Sequence, residues 1–548
     1  MLTAFDNLDQ RKDQFRAWLS TSANSVLTER ITLLEHQRKS PPNWVLDLPQ
    51  FKQWHEDENA ETNTLWLTAT AGYGKSVIAA YLTQKLVEMH PSCAMSYYFC
   101  KDKDGLREGH ELLRTLLYQL SETSEDLESR AQSIWSSNRA IADLSANVGY
   151  IFDNLFLPCI RSLPRDESIF VVIDGFNELP GAQMERILEV VQMFQRLYGN
   201  SDTPALRVVL CSQPIKSEKI GATLHMSLTS LDNLDNIEWF VKNTISQDIA
   251  NLFKQGGVDP INYFRKHSRG MFLWVSLILR DLETMDTYED MKEILDNPPD
   301  KINDAYQSTL ERLHRDNHRS GQTWIREIIS WVVTSKRDLT LPELEAAILV
   351  SQGKREFRNF RATVGKCSAI LQVVRSTRAD EHIVTLVHDT FKQFITNADQ
   401  STGPRGNASI FLVRPAQAEA MIASSCLSYL GYNAFDDICS DHESMETRVQ
   451  TYQLCLYAAQ FWGAHTRGEA ESLPCIRQAV FGLLASENRR NSIQQITEYA
   501  VRSRRRFRLD FIKGQTLLHI IARNGLATIC RHLLDQRPNY ELYIIDLK

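Results

Sequence analysis

Three apolar runs of strand length stand out in the first half of the chain, each closed by polar residues. They are Thr64-Leu65-Trp66-Leu67-Thr68, Ile169-Phe170-Val171-Val172-Ile173 and Ala205-Leu206-Arg207-Val208-Val209-Leu210-Cys211. The second run is too uniform for an edge strand, which shows one face to water, and suits a strand buried on both faces of a parallel sheet. Stretches of helical character, Val77 to Leu86 and Gly181 to Leu197, separate the runs. Strands alternating with helices predict a doubly wound α/β fold, a parallel sheet flanked by helices, with its ligand at the carboxyl ends of the strands.

The pattern is helical on either side of this block. Phe5, Leu8, Phe15 and Leu19, then Val26, Ile31 and Leu34, recur at helical spacing until Ser40-Pro41-Pro42-Asn43 breaks them off. Exposed loops are expected at Ser121 to Glu125 and at Asn200 to Pro204. After Asn297-Pro298-Pro299-Asp300, one face of a helix carries Ile302, Ala305, Tyr306, Leu310 and Leu313, a spacing that means packing. From 323 to 397 the order is helix (Trp324 to Val333), a short Leu339 to Pro342 lead-in, helix (Glu343 to Val350), two strand-like runs (Ala369 to Val374, His382 to Val387) and helix (Asp389 to Ile395). That order predicts a winged-helix module. Pro342 to Val350 carries acids and neither Lys nor Arg, so the module is expected to be structural and not to read DNA.

Asp399 to Asn407 reads as a flexible linker, with helices from about 415 to 500. Gly514 to Gly525, followed by Ile529 to Leu534, matches the opening of an ankyrin repeat. A lone repeat cannot bury its own face, so either the helices before it cap it or the sequence is cut short. The expected domains are an N-terminal helical segment (1–43), the α/β domain (44–250), a helical domain (251–322), the winged-helix module (323–398), a second helical domain (410–510) and the start of the ankyrin region (511–548).

A length of 548 residues suits several domains of roughly 100–200 residues each. With 24% charged and 43% hydrophobic residues the composition is globular, and a net charge of −7 offers no general attraction to nucleic acid or anionic membrane. Met1 to Arg16 lacks the apolar centre of a signal peptide. Met271 to Leu279 is the longest apolar stretch and falls short of the about 20 residues that span a bilayer, so a soluble, cytoplasmic protein is expected. Ten cysteines without a CxxC pair indicate neither a zinc site nor a disulfide framework. Arg502, Arg504, Arg505, Arg506 and Arg508 are read as a solvated helix face in preference to a nucleic-acid patch.

The chemistry gathers at the strand ends. Ala69-Thr70-Ala71-Gly72-Tyr73-Gly74-Lys75-Ser76 follows the first strand and precedes a helix, in the order of a phosphate-binding loop. Glycines let successive N–H groups turn toward phosphate oxygens, a lysine reaches the terminal phosphates, and a hydroxyl can join the oxygen ligands of Mg²⁺. The positive end of the following helix faces the same phosphates. Ala69 stands where the pattern has its first glycine, and its methyl is expected to crowd the bend. Asp174, at the end of the second run, suits the water shell of Mg²⁺, and Glu178, four residues on, suits the attacking water.

Taken together, these residues resemble a fungal NACHT-domain protein with C-terminal ankyrin repeats, one of the signal-transduction ATPases with numerous domains. The resemblance also rests on Gly175, Gly270-Met271-Phe272-Leu273-Trp274-Val275, Ile329-Ser330-Trp331-Val332-Val333, Leu386-Val387-His388-Asp389 and Tyr457-Ala458-Ala459-Gln460-Phe461-Trp462. It implies an ATP/ADP switch that opens on exchange of ADP for ATP and then forms homo-oligomers, with protein partners on ankyrin and helical surfaces. It places the loop residues Ala71, Gly72, Tyr73, Gly74, Lys75, Ser76 and Val77 on the nucleotide, Ser76 and Asp174 on Mg²⁺, and Glu178 with Asp174 in hydrolysis. His388 either touches the ADP β-phosphate or is a core histidine bonded to backbone. Relatives often end the third strand in Thr-Ser-Arg-Pro. Here the residues are Cys211-Ser212-Gln213-Pro214, and without the arginine weak hydrolysis is expected. A scaffold with a degenerate pocket and a multiple-turnover NTPase are the alternatives.

Overall fold

The computed structural model describes residues 14–19, 23–37, 41–56, 62–100, 109–142, 147–165, 168–179, 181–197, 202–215, 221, 223–229, 233–283, 285, 287–354, 356–375, 381–399, 401–501 and 515–536. The arginine cluster at 502–508 lies outside them, as do Phe5, Leu8 and Gly514. The chain divides into two compact units, Met1–Ala305 with Arg375–Glu381, and Tyr306–Val374 with His382–Lys548.

The first unit is built on a five-stranded, all-parallel sheet. Its strands are β1 (Thr64–Thr68), β2 (Ala94–Phe99), β3 (Ser168–Asp174), β4 (Ala205–Ser212) and β5 (Leu224–Ser227), in the order β2-β3-β4-β1-β5. Ile169 to Asp174 are all buried, as a strand between two parallel neighbours requires. The register aligns Phe99 with Asp174, Asp174 with Cys211, and Thr68 with Ser212, so the strands end together along one edge. Because β4 lies between β1 and β3, the loop after β1 and the acid ending β3 face each other across the end of β4.

The helix Lys75–Met89 is buried through Ile78, Ala79, Ala80, Leu82 and Leu86. The N-terminal helix Ala23–Gln37 packs against it, with Arg30 Nε donating to Thr83 Oγ1 at 2.7 Å and its guanidinium over the Tyr97 ring. Phe15, Leu19, Val26 and Leu33 belong to the same hydrophobic core as the sheet, so the described residues before Ser40 pack as part of the α/β block. Of the exposed loops expected, Ser121 to Glu125 is a tight helix-to-helix turn, in which Ser124 caps the helix Glu125–Ser137 through the Leu127 N–H.

The second unit is mostly helical. A three-stranded sheet of β6 (Leu339–Thr340), β7 (Leu371–Arg375) and β8 (His382–Leu386), in the order β6-β8-β7, is accompanied by the helices Arg319–Thr334, Leu341–Ser351 and Phe360–Lys366. Thr340 and Glu343 form a reciprocal cap at the start of Leu341–Ser351, and Arg337 grips the Glu343 carboxylate with both terminal nitrogens. The expected linker is anchored instead of loose: Arg405 N donates to Gln307 Oε1 at 3.1 Å, and Ala408 and Phe411 are fully buried in a short 3₁₀ turn. Sequence composition missed this because the apolar residues that hold the segment down follow its Gly/Pro-rich part.

A partly buried polar network joins residues on both sides of that turn. Lys336 Nζ donates to Glu419 Oε1 at 2.6 Å, His465 Nδ1 meets Glu419 Oε2 at 2.5 Å, and the Tyr457 hydroxyl accepts from Lys336 N while contacting His465 Nε2 at 2.7 Å. Near the end of the described chain, the helices Leu517–Arg523 and Ala527–Gln536 pair with each other. Glu471 Oε2 accepts from Thr528 N at 2.8 Å and Ile529 N at 3.3 Å, so a buried carboxylate from the preceding helices caps the last one. Among the described residues no helix is long and apolar enough to cross a membrane.

Candidate nucleotide-binding site

The loop from Ala69 to Ser76 takes its shape from two glycines. Gly72 has φ +82° and Gly74 φ +85°, a region L side chains rarely occupy, and a Cβ on Gly72 would stand 3.0 Å from the Leu273 Cβ. Ala69 has no such demand. Its N–H donates to Ser212 O at 3.3 Å, continuing the sheet, and among the described residues Arg269 is the single non-glycine with positive φ. Ala69 therefore does not need the left-handed backbone that glycine would supply. Gly72→Ala is therefore expected to lose most nucleotide affinity through backbone strain of about 1–2 kcal/mol plus the clash. Ala69→Gly should leave affinity within about twofold; titration with a fluorescent ADP analogue distinguishes the two.

Lys75 begins the helix and is nearly buried, with Nζ donating to Ala69 O and Thr70 O, both at 2.9 Å. Its ammonium is thus held at the mouth of the loop by the loop's own carbonyls. Asp174 lies across the end of β4. Burial pushes its carboxyl up to about 6, the Ser76 hydroxyl and then the Lys75 ammonium pull it down, and the Glu29 carboxylate of the N-terminal helix pushes it up. Its Oδ1 is buried and has no hydrogen-bond partner among the described residues.

Around Asp174 the turn is fixed by backbone. Cys100 N donates to Asp174 O at 2.8 Å, and Gly175 N to Cys211 O at 3.0 Å. Gly175, with φ +76°, sits where a Cβ would meet the Cys100 carbonyl oxygen at 3.1 Å. Glu178 ends the 3₁₀ turn Phe176–Glu178, and its side chain lies outside the described residues. At the end of β4, Gln213 N donates to Asn177 Oδ1 at 3.0 Å, which ties this strand end to the turn after Asp174. His388 belongs to the second unit, where its Nδ1 accepts the Thr390 N–H at 3.1 Å and caps the helix Asp389–Thr396.

The residues fit a magnesium-bound nucleotide. A buried carboxylate oxygen lacking a donor, raised toward protonation by its surroundings, is the environment a divalent cation would relieve. Ser76 stands beside it with a hydroxyl, and the glycine turns leave the backbone of Ala71, Tyr73 and Val77 at the start of a helix. Sequence reading did not single out Glu29 or Asn233 for this site. Asn233 donates to Tyr73 O and Gly270 O, and neither residue sits in a recognisable motif.

Residues 42–213 match the nephrocystin 3 N-terminal family. Over 392 residues the chain is 21% identical to the vegetative incompatibility protein HET-E-1 of Podospora anserina, across 69% of this chain and 27% of that protein. The chain spans about a quarter of the length of that relative. A solved Walker-type ATPase, paby2304 of Pyrococcus abyssi, aligns with 62% of this chain and 93% of its own at 13% identity and a TM-score of 0.26.

Proposed function

We propose that the chain is a nucleotide-operated signalling switch of the NACHT type, working in the cytoplasm, with ATP and ADP competing for the pocket bounded by residues 69–77 and Asp174. The observation that carries this reading is the buried Oδ1 of Asp174, without a donor among the described residues, beside Ser76 and Lys75. Lys75 and the loop N–H groups hold phosphate, Ser76 and Asp174 hold Mg²⁺, and Glu178 orients water. Bound magnesium would supply positive charge to the terminal phosphates. Gln213 brings no charge to a γ-phosphate, which favours slow hydrolysis and a long-lived ATP form over rapid turnover. Partner proteins are assigned to the helical surfaces and the ankyrin-like pair at 515–536, with residues 323–398 acting as the winged-helix module.

Moving such a switch from mostly closed to mostly open takes about 10⁴-fold preference of one nucleotide for the open form. Similarity to a vegetative incompatibility protein supports signalling as the output. The test is size-exclusion chromatography with light scattering on full-length protein exchanged into ADP or a slowly hydrolysed ATP analogue. A larger assembly with the analogue, and one that persists with ATP in Glu178→Gln, is expected; equal masses in all cases would overturn the switch.

A further inference from the structure

We infer that Asn233 is a latch that couples the phosphate loop to the start of the helix Phe272–Leu282, making it a positioning residue for whatever the loop holds. The inference rests on the nucleotide reading above. Asn233 stands at the N-cap of the helix Leu234–Thr244, where an asparagine ordinarily turns its side chain onto the first N–H groups of its own helix. Here it makes no such bond. Its Nδ2 donates instead to Tyr73 O at 3.1 Å and to Gly270 O at 3.0 Å, and the residue is fully buried. Both partners are carbonyls, so only the NH₂ side of the amide can face them, and both its hydrogens are used.

The two segments it joins are conformationally committed. Tyr73 lies between the two positive-φ glycines of the loop, and Gly270 (φ +83°) follows Arg269 (φ +50°) just ahead of the helix. Two further bonds run between them: Leu273 N to Gly72 O at 3.2 Å, and the Tyr73 hydroxyl to Arg269 O at 2.9 Å. Asn233 is the fully buried side chain in this set. Its Oδ1 has no partner among the described residues, a cost accepted because turning the amide to satisfy it would set oxygen against two carbonyl oxygens. Any ligand that reorients the Tyr73 peptide changes the acceptor that Asn233 holds, and through Gly270 the first turn of the helix.

Hydrogen–deuterium exchange on the full chain, with and without Mg·ADP, tests this. In the wild type ADP should slow exchange in both the 69–78 and the 271–282 peptides. Asn233→Ala should keep the first protection, lose the second, and release a fluorescent ADP analogue about tenfold faster, as expected for one buried hydrogen-bond pair. Tyr73→Phe, which removes an exposed bond between the same segments and leaves the core intact, should shift both readouts in the same direction by a smaller factor. Protection of both peptides with unchanged release in Asn233→Ala and Tyr73→Phe overturns the latch and leaves nucleotide binding standing. No protection anywhere in the wild type overturns the nucleotide reading, and the latch with it.

Discussion

Lys75→Ala should abolish the thermal stabilisation that nucleotide confers on the first unit. A ligand at 100 times its Kd stabilises the form it binds by about 2.7 kcal/mol, enough to raise a melting transition of a domain this size by roughly 5–10 °C. The variant removes the ammonium that Ala69 O and Thr70 O hold at the loop mouth. Charge-assisted hydrogen bonds contribute about 1.5–3 kcal/mol each, so the Kd should weaken by at least tenfold and the shift nearly vanish at the same nucleotide concentration. Without nucleotide the variant should melt somewhat below the wild type, because Ala69 O and the buried Asp174 carboxylate lose the ammonium beside them. Differential scanning fluorimetry with and without Mg·ADP reads both. An undiminished shift in the variant would place the nucleotide elsewhere.

Asp174→Asn should raise the stability of the nucleotide-free protein while removing its response to Mg²⁺ and nucleotide. The folded-state pKa of about 6 lies above the ordinary 3.8, with burial the main cause. Between these values the unfolded chain has lost the proton and the folded one keeps it, so stability falls as pH rises through that window and levels off above it. The difference corresponds to about 3 kcal/mol at neutral pH, since each pKa unit is worth about 1.36 kcal/mol. An asparagine carries no charge to bury, so its stability advantage over the wild type should widen from pH 5 to pH 7 and stay constant beyond. Adding Mg·ADP should reverse the order, stabilising the wild type alone. Denaturation followed across pH checks the sign. A wild type more stable than the variant at pH 8 without ligand would contradict this account of the carboxylate. Trading stability for a charged functional group is a common pattern at binding sites.

How much of this was legible beforehand follows from where the signals lie. The strands β1, β3 and β4 were readable because uniform apolar runs ending in Thr68, Asp174 and Ser212 leave few other structures open to them. β2 and β5 were not, since Ala94-Met95-Ser96-Tyr97-Tyr98-Phe99 mixes polar and apolar residues and Leu224 to Ser227 spans four positions. The order β2-β3-β4-β1-β5 is a long-range property that no local pattern encodes. Within the site, Lys75, Ser76 and Asp174 are proposed from spacing and strand context. Asn233 and Glu29 are not, because Asn233 reaches Tyr73 and Glu29 faces Asp174 across more than a hundred residues of sequence and neither type is rare at its kind of position. The expectation for Ala69 treats the pattern's first glycine as a left-handed position, whereas the left-handed positions of the loop are Gly72 and Gly74.

Everything proposed here depends on that pocket holding a polyphosphate nucleotide. The direct measurement is to purify full-length protein gently in Mg²⁺, denature it, and identify the released small molecules by ion-exchange chromatography, with Lys75→Ala prepared in parallel. The account predicts ADP or ATP near one equivalent per wild-type chain, and little or none from the variant. Equal amounts from both proteins, or none from the wild type even after incubation with Mg·ADP, would contradict it.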